Sequence, residues 1–293
     1  MTSTTQPAER QITTRRLVLD FSTVPRHFAA GGDLMHSHLG AALSAVFPDG
    51  ERYFVRSVRN FRDQIDDVVL RRQVTGFIGQ EAMHGTEHRL FNERLDALGY
   101  PTKWFERFTD VGLRFRERIL PPIHNLAATA ALEHYTATLA ELLLENDETR
   151  ALFGDETVKH LFVWHALEES EHKAVAFDVY KAVGGSERVR VFNMNLITVT
   201  FLTVMTAQMI VSLLKDRETY QPRNFVASWQ RFWRSPVMQP AVWRRLRDYN
   251  RPGFHPNDHD SAAIIERWCA ELFGDGGVLQ DKLATGGRAP ASA

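Results

Sequence analysis

One short pattern occurs twice in this sequence, as Glu81-Ala-Met-His84 and as Glu169-Ser-Glu-His172. Each copy lies inside a long segment whose apolar residues recur with the 3.6-residue period of an α-helix. Residues three apart on a helix share a face, with Cβ atoms about 5–6 Å apart, so such a Glu and His can reach one metal ion or bridge two. Two faces of this kind constrain the fold. They need a common interior between long helices, which a helical bundle supplies.

The rest of the chain agrees. There is no sustained two-residue alternation, and no Asn-Gly or Asp-Gly turn between β-branched runs. After a short extended piece at 17–21, the apolar period predicts helices over 32–47 and 51–61, broken at Pro48-Asp49-Gly50. Another runs over 66–98 and stops at Gly99-Tyr100-Pro101. A short one covers 104–108, and a long one over 111–145 is kinked by Pro121-Pro122. A further helix spans 156–183, ended by Gly184-Gly185, and a last one covers 261–273. The expectation is an all-α protein: a four-helix bundle over 17–185, additional C-terminal helices over 186–283, and disordered tails at 1–16 and 284–293.

Each of the other two bundle helices needs one inward carboxylate, and Glu51 and Glu133 are the candidates. Glu51 lies about 14 residues before a turn centred near 65 and Glu81 about 16 after it; Glu133 and Glu169 lie about 18 to either side of a turn near 151. Antiparallel partners equidistant from a turn face each other, so four carboxylates meet at one height. Burying four Glu without cations is very costly. With imidazoles beside them, they make a donor set suited to iron or manganese. His88, His134, Asp178 and Glu87 are candidates to stand behind the ligands and orient them. Glu168 and Glu171 are expected to face solvent or Lys173. His255, Asp258 and His259 read as a turn with a capping Asp rather than a second metal cluster.

Lys and Arg number 35 against 36 Asp and Glu, so no charge excess points to a nucleic-acid partner. With Cys269 as the one cysteine, an internal disulfide, a cysteine zinc site and an iron–sulfur cluster are excluded, and a reducing, cytoplasmic location fits. Residues 1–16 lack the apolar core of a secretory signal. Residues 191–214 run for 24 positions without a charge, long enough to span a bilayer. Eight of them are polar, however: Asn193, Asn195, Thr198, Thr200, Thr203, Thr206, Gln208 and Ser212. That favours a helix packed on the bundle or at a homodimer interface. A basic, Trp-rich stretch follows, which makes peripheral membrane contact through 191–247 the intermediate reading and a bilayer span the least favoured.

Pro48-Asp-Gly-Glu51, Gln80-Glu-Ala-Met-His84 with His88, Ala131-Leu-Glu133-His134, Trp164-His-Ala-Leu-Glu-Glu-Ser-Glu-His172-Lys and Arg251-Pro-Gly-Phe-His-Pro256 form a recognisable set. Over 32–183 the chain resembles the ferritin-like di-iron carboxylate proteins. Over most of its length it is similar to the family catalogued as predicted metal-dependent hydrolases. His165 shares the face of Glu169 and His172, and this His-x-x-x-Glu-x-x-His arrangement is similar to that of the di-iron arylamine N-oxygenases, where the extra His is a third imidazole ligand. The resemblance implies seven ligands, Glu51, Glu81, His84, Glu133, His165, Glu169 and His172, to two iron ions, with manganese as the substitute. It implies an O₂-activating oxidase or oxygenase using a small organic substrate, O₂ and an external electron donor. The family description implies instead hydrolysis by a bridging water at a two-metal site. A non-enzymatic ferritin-like iron-handling protein is the third alternative, and the roughly 110 residues after Gly185 argue against it.

Overall fold

A computed structural model of the protein describes residues 12–284. Its helices, in chain order, are α1 (Leu34–Arg59), α2 (Val68–Ala97), α3 (Thr102–Ile119), α4 (Pro122–Glu145), the single turn α5 (Asp147–Arg150), α6 (Glu156–His172), α7 (Val175–Ala182), α8 (Glu187–Leu214), α9 (Pro222–Arg234), α10 (Pro240–Asp248) and α11 (Ala262–Phe273). Asp33, Asp67 and Asp155 open α1, α2 and α6 by accepting first-turn backbone N–H groups, and α4 starts with Pro122 at its first position. These four helices make the bundle: α1 pairs with α2 and α4 with α6, while α1 meets α4 and α2 meets α6. Around them, α3 crosses α1 and α2, α8 lies along α4 and α1, and α9, α10 and α11 pack on α1, α4 and α6 respectively. Among the described residues the extended structure is limited to two isolated bridges, Leu17↔Leu283 and Ala29↔Phe153.

The helix boundaries depart from the sequence reading in four places. First, α1 does not break at Pro48-Asp49-Gly50 but runs straight through them. A proline inside a helix removes one donor and leaves the carbonyl four residues back without its partner. Here that carbonyl belongs to Ser44, and Asn92 Nδ2 on α2 donates to it at 3.0 Å. Asn92 replaces the missing N–H, so the helix continues. Second, Pro121 and Pro122 split the expected long helix rather than kinking it. The residue before a proline is forced out of the helical region, and Leu120 is extended at φ −109°, ψ 144°.

Third, the expected helix over 156–183 is interrupted at Lys173 and Ala174, which keep right-handed helical backbone angles and lead into α7; the Lys173 ammonium is buried against Glu141 at 2.8 Å and against the His259 carbonyl. Fourth, residues 12–16 and Ala284, expected in the tails, are packed on the fold. Ile12 is buried, Thr13 accepts from Gln80, and Arg15 pairs with Glu168 and Glu171, so 12–16 are docked on the bundle. Ala284 donates its N–H to the Arg16 carbonyl. The remaining tail residues, 1–11 and 285–293, lie outside the described residues.

The uncharged segment is the core of α8, a helix long and apolar enough to cross a membrane, with about a third of its most apolar window buried. Its polar residues divide by face. On the buried face, Asn193 accepts from Arg116, Thr198 accepts from Tyr135, and Ser212 bonds His38. On the exposed face, Asn195, Thr200 and Thr203 bond back to carbonyls of their own helix. Phe192, Val199, Ile210 and Leu214 are left exposed.

The Asn92 substitution for a helical N–H can be tested. Asn92→Leu strands the buried Ser44 carbonyl and should lower unfolding free energy by about 1–3 kcal/mol in a denaturant titration. Pro48→Ala restores the N–H and should recover part of that loss in the Asn92→Leu background. Equal losses with and without Pro48 would refute the substitution.

Candidate metal centre

Four helices carry the candidate ligands inward: α1 brings Glu51, α2 brings Glu81 and His84, α4 brings Glu133, and α6 brings His165, Glu169 and His172. All seven converge, and none is more than 4% exposed. Donor atoms of Glu51, His84 and His165 lie within 4.8 Å of one another; so do those of Glu81, Glu133 and His172, and those of Glu81, His84 and Glu169. Glu81 and His84 each belong to two of these groups, which therefore adjoin one another. Small residues let the backbones come close here. A Cβ placed on Gly85 would stand 3.0 Å from Glu51 Oε2, and α4 carries a run of buried alanines from Ala127 to Ala131 around Thr129.

The donor set fits cations on the chemistry of its unpaired atoms. Both carboxylate oxygens of Glu51, Glu81 and Glu133, Oε2 of Glu169, both nitrogens of His84 and Nε2 of His172 are buried without a hydrogen-bond partner. Orphaned buried polar atoms at this density are costly, and carboxylates more so. Bound cations would satisfy them.

Two of the three imidazoles, His165 and His172, are held from behind by hydrogen bonds. Asn92 spends its Nδ2 on the Ser44 carbonyl and on Glu106, at 3.0 and 2.8 Å, so its Oδ1 accepts the Ser44 hydroxyl at 2.6 Å. Ser44 Oγ is then the acceptor for His88 Nδ1–H at 2.9 Å. Burial keeps His88 neutral, so its Nε2 accepts from His165 Nδ1 at 2.7 Å. His165 Nε2 then faces inward, 3.0 Å from Glu169 Oε1 and 3.7 Å from Glu51 Oε1.

Gln80 does the same for His172. Its Nε2 donates to Thr13 and Glu171, so its Oε1 accepts His172 Nδ1–H at 2.8 Å. His172 Nε2 then points at Glu81, Glu133 and Glu169, at 3.1, 3.4 and 3.5 Å. For His84, Nδ1 is 3.8 Å from Glu169, while Nε2 lies 3.1 Å from Glu168 on the far side.

Charge in the metal-free protein follows from this packing. Burial, then repulsion from neighbouring carboxylates, raises Glu51 and Glu81 well above the usual carboxylate range and brings Glu133 up to about 7. Burial acts on Glu169 too, but His172 and His165 outweigh it and hold Glu169 low. Burial disfavours the charged His172, yet Glu169, Glu133 and Glu81 together hold its proton well above the usual range. That imidazolium stands in for part of the missing cation charge.

The orienting residues differ in part from those expected. His88 stands behind His165. His134 turns instead to the C-terminal layer, donating from Nε2 to the Arg245 carbonyl at 3.0 Å and packing on Tyr249 and Phe254. Asp178 likewise pairs with His255 at 2.8 Å. Glu87 meets the Leu19 backbone, burial pushing it up to about 7. Glu168 and Glu171 do not face solvent or Lys173: Arg15 clamps both, and Glu168 is fully buried, its carboxyl raised to about 8 by burial despite the guanidinium. His255 and Asp258 form a capping box, as a turn requires. The sequence reading missed Gln80, Ser44, Asn92, Glu168 and Arg15. A second cluster, His27, His38 and Asp216, has its carboxylate already answered by Arg26, both imidazoles and the Glu218 N–H.

A cavity of about 1,340 Å³ opens on one side of the centre, between α1, α4 and α8. Of the seven ligands only Glu51, His165 and Glu169 line it. Phe47 shields the same flank, its ring 4.6 Å from that of His165 and 4.7 Å from that of His88.

Fold and site together define a helical protein whose bundle encloses a carboxylate–imidazole centre suited to metal. The family model described as "Predicted metal-dependent hydrolase" matches residues 13–260, and the chain belongs to that family. No curated protein and no solved structure matches it.

Two outcomes follow for metal binding. Gln80→Leu and His88→Phe each free an imidazole from its orienting partner and should weaken Mn²⁺ binding about 10–100-fold, read by competition with a chelator. Unchanged affinity in both would show that the partners do not matter. Binding should also displace protons, because Glu51, Glu81 and Glu133 hold them when metal-free. Affinity should therefore rise with pH between about 6 and 8, with proton release into weak buffer; a flat profile would contradict the carboxyl shifts.

Proposed function

We propose that the chain is a di-iron carboxylate oxidase or oxygenase of ferritin-like type, acting on a small organic substrate with O₂ and electrons from an external donor. The observation that carries this reading is the pairing of a four-Glu, three-His donor set with an apolar cavity that meets three of those ligands. One inward Glu from each of two helices and Glu-x-x-His from each of the other two is the bundle pattern of di-iron carboxylate proteins. When bound, two iron ions would supply the electrons that O₂ chemistry needs.

The residues around them suit that task better than hydrolysis. A hydrolase needs a group that delivers a proton to the leaving atom. Besides the ligands, the ionisable side chains lining the cavity are His36, Arg116 and Tyr135. His36 is bound to Asp33 at 2.8 Å, Arg116 is spent on Tyr53, His124 and Asn193, and Tyr135 donates its hydroxyl to Thr198 at 2.8 Å. The largely apolar wall thus disfavours water beside Glu51, His165 and Glu169, and offers no uncommitted acid to a leaving group. Hydrolysis by a metal-held water remains the second reading, because the family's own description favours it.

Purified protein should bind about two metal ions per chain, and Glu81→Ala or Glu169→Ala should lose at least one. After anaerobic loading with Fe²⁺, an oxygen electrode should record uptake that stops without added reductant and resumes with it, while zinc-loaded protein stays inert. Hydrolytic turnover by the zinc form under strict anaerobiosis would establish the second reading instead. Oxidation of far more than two irons per chain, with mineral formation, would establish iron handling.

A further inference from the structure

The cavity has a shape and a rim that the centre alone does not require. At about 1,340 Å³ it exceeds the roughly 300–1,000 Å³ of an ordinary small-ligand pocket. It is also long. Its lining runs along α8 from Leu196 to Leu213 and along α1 from Met35 to Phe54, which at 1.5 Å per residue is about 25 and about 28 Å of helix respectively. Between those ends the wall is aliphatic and aromatic, with Leu39, Leu43, Leu139, Phe201, Met205 and Met209 facing one another. Its two remaining charged groups, His36 and Arg116, are already committed to protein partners, so no free ion pair awaits a substrate along its length.

The mouth is built from residues that line the cavity and are exposed at the same time. Phe108, Phe115 and Ile119 come from α3, Ile210 from α8, and Trp229 and Trp233 from α9, and each is between 43% and 61% exposed. On α3 the stripe continues through Trp104 and Val111, so Trp104, Phe108, Val111, Phe115 and Ile119 stand on one face at helical spacing. Basic side chains flank these apolar surfaces, Arg118 in the last turn of α3 and Arg231 and Arg234 in that of α9. An amphipathic helix with an unpartnered apolar face and basic neighbours suits a lipid–water boundary. A substrate reaching the mouth from such a boundary need not leave an apolar surrounding on its way in.

We propose that this groove binds a long unbranched aliphatic chain, such as that of a fatty acid or fatty alcohol, with one end held beside Glu51, His165 and Glu169. The proposal rests on the di-metal reading only for the place where the chain ends. Binding follows from wall and mouth. A rounded aromatic molecule of ordinary size would leave most of the groove empty, whereas a chain fills its length and buries apolar surface along all of it.

The test uses full-length protein, metal-free and zinc-loaded, without turnover. Titration with the fluorescent fatty acid cis-parinaric acid should saturate at one per chain, and both 1-dodecanol and dodecanoate should displace it. Displacement by both places recognition in the chain. Displacement by the acid alone, lost when zinc is removed, places a carboxylate head at the ligand end; either result supports the groove. Two variants guard against a folding artefact. Leu139→Trp fills the middle and should weaken binding at least tenfold. Gly50 lines the ligand end, where an added Cβ meets nothing within 4 Å, so Gly50→Phe should instead shorten the longest chain accepted by several carbons. Both should keep the wild-type circular dichroism and metal count. Absence of saturable binding, or binding unchanged in both variants, would overturn the proposal; so would a stable dimer in solution whose interface covers the groove. Chain binding without O₂ uptake by the iron form would sink the oxidase reading alone, and O₂ uptake without chain binding would sink this one alone.

Discussion

Seven titratable side chains, four of them carboxylates, share an interior closed to solvent, and most other features of this bundle answer that concentration of charge. Two carboxylates about 4 Å apart repel by about 4 kcal/mol at the effective dielectric of a protein. Their burial has to be offset at several points at once. The imidazolium of His172 offsets part of it from within. Arg15 brings a positive charge to the outer side, against Glu168 and Glu171. The remaining orphaned oxygens are what make metal the natural completion of the core. A protein organised in this way gains much of its rigidity from its cofactor, since whatever binds the native state alone adds to its stability.

The geometry that allows the concentration is unusual in its helices. Proline and glycine both sit within α1, directly before Glu51. Each would ordinarily weaken a helix. Pro48 is tolerated because Asn92 repairs the hydrogen bond it removes, and Gly85 opposite leaves the room into which Glu51 reaches. The same Asn92 is also the acceptor at the end of the donor chain that runs from His165 through His88 and Ser44. One side chain therefore supports a helix and fixes a tautomer, so the site and its scaffold are not separable parts.

Much of this was legible in the sequence. The two Glu-x-x-His pairs, the matching Glu51 and Glu133 and the seven-residue face of His165 lie on helices whose period is plain, and their convergence is a consequence of helix geometry and hairpin symmetry. What escaped was long-range. Arg15 reaches α6 across more than 150 residues of chain, and no local pattern announces such an ion pair. His134 illustrates the converse: adjacent to a ligand in sequence, it points away because neighbours on a helix stand about 100° apart. Helix ends failed where a tertiary bond competes with a local rule, as at Pro48. Gln80 and Asn92 were within reach, since Gln80, His84, His88 and Asn92 extend one polar stripe along a helix whose surroundings are apolar. A buried polar stripe longer than the ligands need is itself the mark of an orienting layer.

The described ends of the chain meet. Leu17 bridges Leu283, Val18 donates to the Lys282 carbonyl and Ala284 donates to Arg16. Segment 12–16, which carries Thr13 and Arg15 to the back of the centre, is therefore anchored by residues 282–284. Releasing either segment would remove the hold of Thr13 on Gln80 and of Arg15 on Glu168 and Glu171, so two stretches far apart in sequence act as one latch behind His172.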